Sequence, residues 1–386
     1  EMIHRDKHNI LHVLTIYYQL HYFIGDQFTH FKERGYNEHV ICSADQRLDA
    51  YAKKMGFQYM ATPINRSISI VDDLRAIWQI CRYIRKHRIG IVVGHSPKGG
   101  LLAMIAAWLC RVPLRVYFRH GIVYETAHGL LRQVLINCDR LTSLCANKIV
   151  CVSQSVCERS IADHLNNRHK QLTLGAGTCT GIDTTGKFNP DNIDDNKLNK
   201  MREKWGLTAS DWVIGYTGRM VKDKGIPELV TAFEYIKKAF PKVKLLLMGP
   251  LDPRDVLPPH IEQRIKSGGG IVWTDFIDED QEYFYAMMNV YVLASYREGF
   301  PIGALEAQSM GVPVITTRST GCRDAIVAGK TGQFVGINSK DIGNALTDFI
   351  EHGLDKKYST YARKWVVDNF DHSQIWRHLD NLYRAD

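Results

Sequence analysis

The sequence predicts an α/β protein of two domains, each built on a parallel sheet, and three observations carry that prediction. Short β-rich runs alternate with longer helical ones along the whole chain. The alternation is interrupted once, by the polar, acid-rich stretch FNPDNIDDNKLNK at 188–200, and then restarts. A length of 386 residues accommodates two domains of ordinary size. The expected domains are 1–187 and 188–386, with the final helix, at about 371–386, packing back on the N-terminal domain.

In the first domain the strand-like runs are ILHVLTIYY, HVICS, IGIVVG, LRVYF and KIVCVS, each followed by ten to twenty residues with apolar spacing of three and four. Strands that alternate with helices in this way imply parallel pairing with both faces covered. The apolar stretch LLAMIAAWLC at 101–110 reads as a buried helix, since it is half the roughly 20 residues that a bilayer crossing needs. In the second domain the runs are WVIGYTG, KLLLMG, GIVWT, VYVLA and PVITT. The helix after Lys224 carries Ile226, Leu229, Val230, Phe233, Ile236 and Phe240 on one stripe, with Glu228, Glu234, Lys237 and Lys238 turned outward. The C-terminal thirty residues read as two helices broken near Asp371.

Composition narrows the class. Hydrophobic residues make up 45% and charged residues 23%, the balance of a globular protein. Nine cysteines are scattered without a Cys-x-x-Cys pair or metal-ligand spacing, which predicts mostly reduced core thiols. No charged-then-apolar leader opens the chain, so the expected location is the cytoplasm. The net charge of +8 is uneven: residues 1–185 hold 23 Lys and Arg against 14 Asp and Glu, whereas the remainder holds 26 against 27. A basic first half suits anionic phosphates or an anionic leaflet. The basic run RYIRKHR at 82–88 has helical spacing and no nucleic-acid motif around it, so it reads as a solvated helix face.

Two segments carry chemistry. In EGFPIGALE, Glu298 and Glu306 stand eight positions apart around a Gly-Phe-Pro turn; Glu298 follows a strand, Glu306 falls inside the next helix, and Pro301 suits the first helical position. The N–H groups at such a helix start make an anion site, and open α/β sheets bind ligands at that end of the sheet. In GYTGRMVKDKGIPELV a strand ends at Gly218, Arg219 follows, and Lys224-Gly225 precedes a helix. Two fixed cations beside a helix N-terminus suit a diphosphate leaving group, on which charge builds as its bond breaks.

Together, about eighty residues apart with strand–helix units between them, these segments resemble those of the family-4 retaining glycosyltransferases of the GT-B fold. TRSTGCRDAIVAGKTGQFV (317–335) is similar to the glycine-containing segment that follows in that family. HSPKGGLLAMIAAWLCRVPLRVYFRHGIVYET (95–126) looks like the first-domain region of bacterial members that build surface polysaccharides and lipid-linked oligosaccharides. The resemblance implies two Rossmann-like domains whose parallel sheets face across a cleft, the first binding the acceptor and the second the nucleotide-sugar donor.

Carried onto this sequence, the resemblance makes Arg219 and Lys224 the pyrophosphate ligands after Gly218, and Glu306 the partner of the ribose hydroxyls. Glu298 falls on the sugar side, the backbone of Gly299, Phe300, Pro301 and Ile302 lies around the phosphates, and Ile277 meets the nucleobase. His120, before Gly121 at a strand end, matches the family's active-site histidine; with Glu298, Arg219 and Lys224 it completes the expected catalytic set. The family's Gly-Gly segment after the first strand is replaced by YYQLHYFIGDQF, which leaves Gly25 and Asp26 as weaker candidates, and Lys98 and Tyr124 lie in segments expected to face the acceptor.

Asp278-Glu279-Asp280 is read as the head of a helix, where acids meet the macrodipole, so no metal is expected and no cofactor beyond the nucleotide-sugar substrate. The expected activity is transfer of a sugar, from a UDP-sugar and first an N-acetylhexosamine, to a glycan or lipid-linked acceptor. The expected partners add peripheral contact with the anionic cytoplasmic face of the inner membrane, and exclude nucleic acid. A nucleotide-sugar epimerase of related architecture and a non-catalytic sugar-nucleotide-binding protein are the alternative readings.

Overall fold

The computed structural model describes residues 5–65 and 69–384, so the last two positions of the expected final helix lie outside the described residues. The chain divides into two compact units, Glu1–Gly181 with Ser373–Asp386, and Ile182–His372. The division falls at 181/182, ahead of the expected 187/188. Helix Leu354–Phe370 draws the intervening residues into the second unit: Arg363 donates to the carbonyls of Thr184 and Phe188 at 3.3 Å each and to Asn189 Oδ1 at 2.9 Å.

The first unit holds seven strands, β1 (Asp6–Val13), β2 (Asn37–Cys42), β3 (Gln58–Ala61), β4 (Ile89–His95), β5 (Leu114–Arg119), β6 (Lys148–Cys151) and β7 (Gln171–Leu172). They pair in parallel in the order β3-β2-β1-β4-β5-β6-β7. β4 is buried along its length, as a central strand covered on both faces must be. Helix His372–Arg384 belongs to this unit, where Ile375, Leu379, Leu382 and Tyr383 are buried and Asp380 pairs with Arg34 at 2.9 Å.

The second unit holds β8 (Trp212–Thr217), β9 (Val243–Met248), β10 (Ile271–Trp273), β11 (Val290–Leu293), β12 (Val314–Thr316) and β13 (Gly332–Phe334), parallel in the order β10-β9-β8-β11-β12-β13. The α/β class is therefore observed in both units. In helix Ile226–Ala239 the expected stripe is buried from Ile226 to Ile236.

The first strand is shorter than ILHVLTIYY suggests. It ends at Val13, because the Gln19 side-chain oxygen accepts from Thr15 N, Thr15 Oγ1 and Ile16 N at 3.0, 2.8 and 3.4 Å and turns the chain into helix Tyr18–Phe23. Helix Pro97–Leu109 buries Leu102 to Ala107 apart from Ile105, yet Trp108 and Leu109 at its end are exposed, a departure from a fully buried 101–110. RYIRKHR ends helix Ile70–Lys86 with Arg82, Arg85 and Lys86 exposed, a solvated face.

Candidate functional site

Each sheet has one place where successive crossovers run in opposite directions, between β1 and β4 in the first unit and between β8 and β11 in the second. Such a switch point leaves a crevice beyond the strand ends. In the second unit the two chemistry-bearing segments follow the two strands that flank it.

Lys224 Nζ donates to Glu298 Oε1, so two residues 74 apart in sequence form one ion pair, with side chains 19% and 14% exposed. The backbone explains why they meet. Gly225 has φ +70°, and a Cβ there would lie 2.1 Å from the carbonyl oxygen of Ala294, so only glycine lets the loop after β8 touch the loop after β11. Tyr296 N donates to Asp223 O at 3.0 Å, and Ser295 Oγ donates to the same carbonyl at 3.1 Å. Gly321, at φ +80°, lies so close to the backbone of Glu298 and Gly299 that a Cβ would come within 2.6 Å of it; this gives TRSTG its place beside the site.

Glu306 lies on helix Ile302–Ser309 and is partly buried. Burial pushes its carboxyl up to about 7, while the Tyr285 hydroxyl, donating to it at 2.6 Å, pulls the other way. Tyr285 in turn bonds Thr217 Oγ1 at 3.1 Å, which ties the end of β8 to the acid through one buried phenol, and Tyr291 of β11 bonds the same Thr217 hydroxyl at 3.1 Å. Pro301 is the residue before the helix, at φ −76° and ψ 95°, and Ile302 opens it, a correction of one position. Phe300 is buried against Phe370, with ring centroids 5.3 Å apart, which makes it a structural plug with its backbone alone left for a ligand.

Arg219 is placed otherwise than a free cation. Its guanidinium donates to Asp252 Oδ2 at 2.7 Å, its side chain is 50% exposed, and Arg254 grips the same carboxylate at 2.8 and 2.5 Å. The two arginines, Arg254 first, hold Asp252 well below the usual carboxylate range. Asp252 and Arg254 lie in the unremarked loop GPLDPRD after β9. The signal there was an Asp-Pro-Arg turn at a strand end, with Arg254 N donating back to Asp252 at 3.0 Å.

Ile277 lies in the loop between β10 and helix Gln281–Ala286, where its carbonyl accepts from Gln281 at 2.9 Å. Asp280 precedes that helix with φ +58° and no side-chain cap, and pairs with Lys197 at 2.6 Å; the acid is satisfied by a lysine ammonium rather than by the helix start. Among the described residues there is no group of three His, Cys, Asp or Glu able to hold a metal.

In the first unit His120 follows β5, where His95 and Phe23 both engage it. Its Nε2 lies 3.0 Å from His95 Nδ1, and the Phe23 ring stacks on it with centroids 3.6 Å apart. Burial lowers its imidazole to about 3, so it is uncharged at neutral pH. His95 ends β4, next to Ser96 with the uncommon φ of +64°, and connects to His12 on β1 at 3.1 Å. Neither His12 nor His95 stood out in the sequence, because alternate positions of buried strands ordinarily hold core side chains.

The weaker candidates fare differently. Gly25 joins helices Tyr18–Phe23 and Gln27–Glu33 at φ +54°, and Asp26 precedes the second without capping it. Tyr124 is 1% exposed with its hydroxyl donated to Asp163 at 2.7 Å, so it is a core residue and presents nothing to an acceptor. Lys98, in the first turn of helix Pro97–Leu109, is largely buried and neutralised by Asp73 at 2.5 Å.

Known proteins share this chain's pattern. The Glycosyl transferases group 1 family matches residues 198–365, and the Glycosyl transferase 4-like domain matches 22–176. The chain is 31% identical over 381 residues to the capsular polysaccharide biosynthesis glycosyltransferase CapM of Staphylococcus aureus, covering 97% of each. It is 24% identical to the UDP-Gal:alpha-D-GlcNAc-diphosphoundecaprenol alpha-1,3-galactosyltransferase of Escherichia coli, across 89% of this chain and 88% of that one. In fold it is similar to Anabaena Alr3699/HepE, solved in complex with UDP and glucose, with a TM-score of 0.80 at 18% identity, covering 97% and 98% of the two chains.

Proposed function

Because the chain belongs to the family-4 glycosyltransferases of the GT-B fold, we propose that it transfers a sugar from a nucleotide-sugar to a hydroxyl of a glycan or lipid-linked glycan in surface-polysaccharide assembly, with retention at the anomeric carbon. The observation that carries this reading is the Lys224–Glu298 pair, which joins the two motif segments at the second unit's switch point. A cation held there by a carboxylate is positioned before the leaving diphosphate develops charge, and preorganised charge is what lowers such a barrier.

Arg219, steered by Asp252, adds a second cation, and Glu306 supplies oxygen acceptors for a pair of ribose hydroxyls. Ile277 and the Gly299–Ile302 backbone complete the donor site. The proposed route is front-face displacement: the leaving diphosphate helps take the proton from the attacking hydroxyl. The donor is a UDP-sugar, first an N-acetylhexosamine, and no metal is required. Names of relatives support the class of product, and the UDP-bound neighbour supports the base.

The test is NMR of UDP-N-acetylhexosamine with the purified protein, alone and with a diphosphate-lipid-linked monosaccharide. The expected result is a new glycosidic bond with the donor's anomeric configuration, and only when acceptor is present. Interconversion of the donor alone would make the protein an epimerase, and donor binding with neither transfer nor hydrolysis would make it a binding protein. Either result overturns the proposal.

Peripheral attachment to the cytoplasmic face of an anionic membrane is the second part of the reading. Helix Pro97–Leu109 packs between helices Ile70–Lys86 and Gly129–Cys145, and the three expose Trp78, Trp108, Leu130 and Leu144 at 60, 56, 81 and 72%. Exposed aromatic and aliphatic side chains on adjacent helices of the basic unit suit an interface that is part apolar, part anionic. No helix among the described residues is long and apolar enough to cross a membrane. Flotation with anionic vesicles is expected to bring the protein up at low salt, less at high salt, and less again after Trp108→Ser with Leu130→Ser; binding indifferent to both would remove the membrane claim.

A further inference from the structure

Four adjacent strands each contribute one polar residue to a single buried row in the first unit. Glu38 lies on β2, His12 on β1, His95 at the end of β4 and His120 just past β5. Exposure is 4, 1 and 2% for Glu38, His12 and His95. The row is continuous: Glu38 Oε2 is 3.2 Å from His12 Nε2, His12 Nδ1 is 3.1 Å from His95 Nε2, and His95 Nδ1 is 3.0 Å from His120 Nε2. The acid–histidine approach is short but outside hydrogen-bond geometry, and neither Glu38 oxygen has a hydrogen-bond donor among the described residues.

We propose that Glu38, His12 and His95 are positioning residues that fix His120 in its Nε2–H tautomer, so that Nδ1 presents a lone pair to a substrate hydroxyl. The part played by the hydroxyl rests on the reading of His120 as an active-site residue; the tautomer does not.

The direction of the row follows from one end. A neutral imidazole has one N–H and one lone pair, so a line of them can point only one way or the other. Burial keeps His95 well below the ordinary histidine range and His120 near 3, which leaves both neutral at pH 7. With Glu38 accepting from a neutral His12, the His12 proton lies on Nε2. His12 Nδ1 is then a lone pair and takes a proton shared from His95 Nε2, and His95 Nδ1 takes one from His120 Nε2. What remains at the open end of the row is His120 Nδ1 without a proton.

The surroundings favour a single arrangement. Phe23 and Phe118 lie parallel to His120, at 3.6 and 5.7 Å between centroids, and Phe28 packs edge-on to His12 at 5.9 Å, so the rings have little freedom to flip. Tyr383 on the last helix also faces Glu38; burial raises its phenol well above the usual range, so it stays neutral and does not compete as an ion. A carboxylate buried with so few donors is costly to fold around. The row gives that cost a purpose, because fixing which ring nitrogen bears the proton is a use to which carboxylate–histidine contacts are put.

The experiment is side-chain nitrogen–proton correlation NMR of histidine-labelled protein without any substrate, with His120 assigned by its loss in His120→Gln. Wild-type protein is expected to show His120 as the Nε2–H tautomer alone. Glu38→Gln, which keeps the shape but can both donate and accept, and Glu38→Leu, which can do neither, are expected to give mixed tautomers at His120. His12→Leu, tested in case the Glu38 variants unfold, is expected to do the same. With sugar donor and acceptor, Glu38→Leu is expected to lower kcat about 10- to 100-fold at nearly unchanged donor KM, the range of one misdirected hydrogen bond to a substrate hydroxyl. A wild-type His120 protonated on Nδ1, or a tautomer unmoved by every variant, overturns the proposal. Because the NMR needs no sugar donor, it decides the point even if the chain transfers no sugar.

Discussion

Lys224→Ala is expected to lower sugar transfer by about 10²–10³-fold, the loss typical of removing one preorganised charge from a developing anion. Two effects add. The variant removes the cation, and it leaves Glu298, only 14% exposed, as a carboxylate with its partner gone at the place where the proposed diphosphate binds. That unpaired acid would repel the substrate, so donor KM is expected to rise as kcat falls. Lys224→Ala with Glu298→Gln separates the two: relief of repulsion recovers KM but not kcat. Arg219→Ala is expected to cost less, since its side chain is half exposed and Arg254 stays on the same Asp252. Steady-state kinetics of the four proteins, with melting curves to show intact folding, check this. Near-normal turnover in Lys224→Ala would remove the diphosphate reading.

The sequence carried the fold wherever a strand is buried on both faces, and lost it at the sheet margins. The ten runs read as strands are the interior strands and one margin, β10; the three not read, β3, β7 and β13, are all edge strands. Gln58–Ala61 is mostly exposed, Gln171–Leu172 has two residues, and Gly332–Phe334 is part polar. A strand with one neighbour needs no continuous apolar run, and so leaves no periodic signal.

The candidate site shows the same limit in another form. Lys224, Glu298 and Glu306 were legible because fixed spacing and turn residues mark them. Asp252 and Arg254, which decide where Arg219 points, come from a loop whose proximity depends on β9 lying beside β8. Glu38, His12 and His95 are legible only once β2, β1, β4 and β5 are known to be neighbours, because cross-strand rows have no fixed spacing in sequence. Tyr124 differs in the opposite sense: its segment was expected to face the acceptor, yet the side chain is buried and its hydroxyl donates to Asp163.

Glu306→Gln should separate stability from ligand affinity, in opposite directions with pH. In the folded protein burial raises the acid from 4.5 to about 7, so between those values the native state holds a proton that the unfolded chain has released. Stability contributed by the protonated form is therefore present at low pH, lost as pH rises through about 7, and not regained above it. Glutamine carries no such slope. The variant is expected to match the wild type at pH 5 and to exceed it at pH 8 by about 1–2 kcal/mol after allowance for partial exposure.

Donor binding runs the other way. Ionised Glu306 offers acceptor oxygens for two hydroxyls, and a hydrogen bond to a charged group contributes about 1.5–3 kcal/mol, whereas the protonated acid gives up part of that capacity. Wild-type affinity for a UDP-sugar, whose diester phosphates hold constant charge in this range, is expected to rise from pH 6 to pH 8. Glu306→Gln is expected to bind about 10- to 100-fold more weakly at pH 8 and with a flat profile. Calorimetric titration at three pH values measures this. A wild-type profile as flat as the variant's would mean that Glu306 serves the Tyr285–Thr217 network and not a ligand, since that network alone gives the stability slope without any slope in affinity.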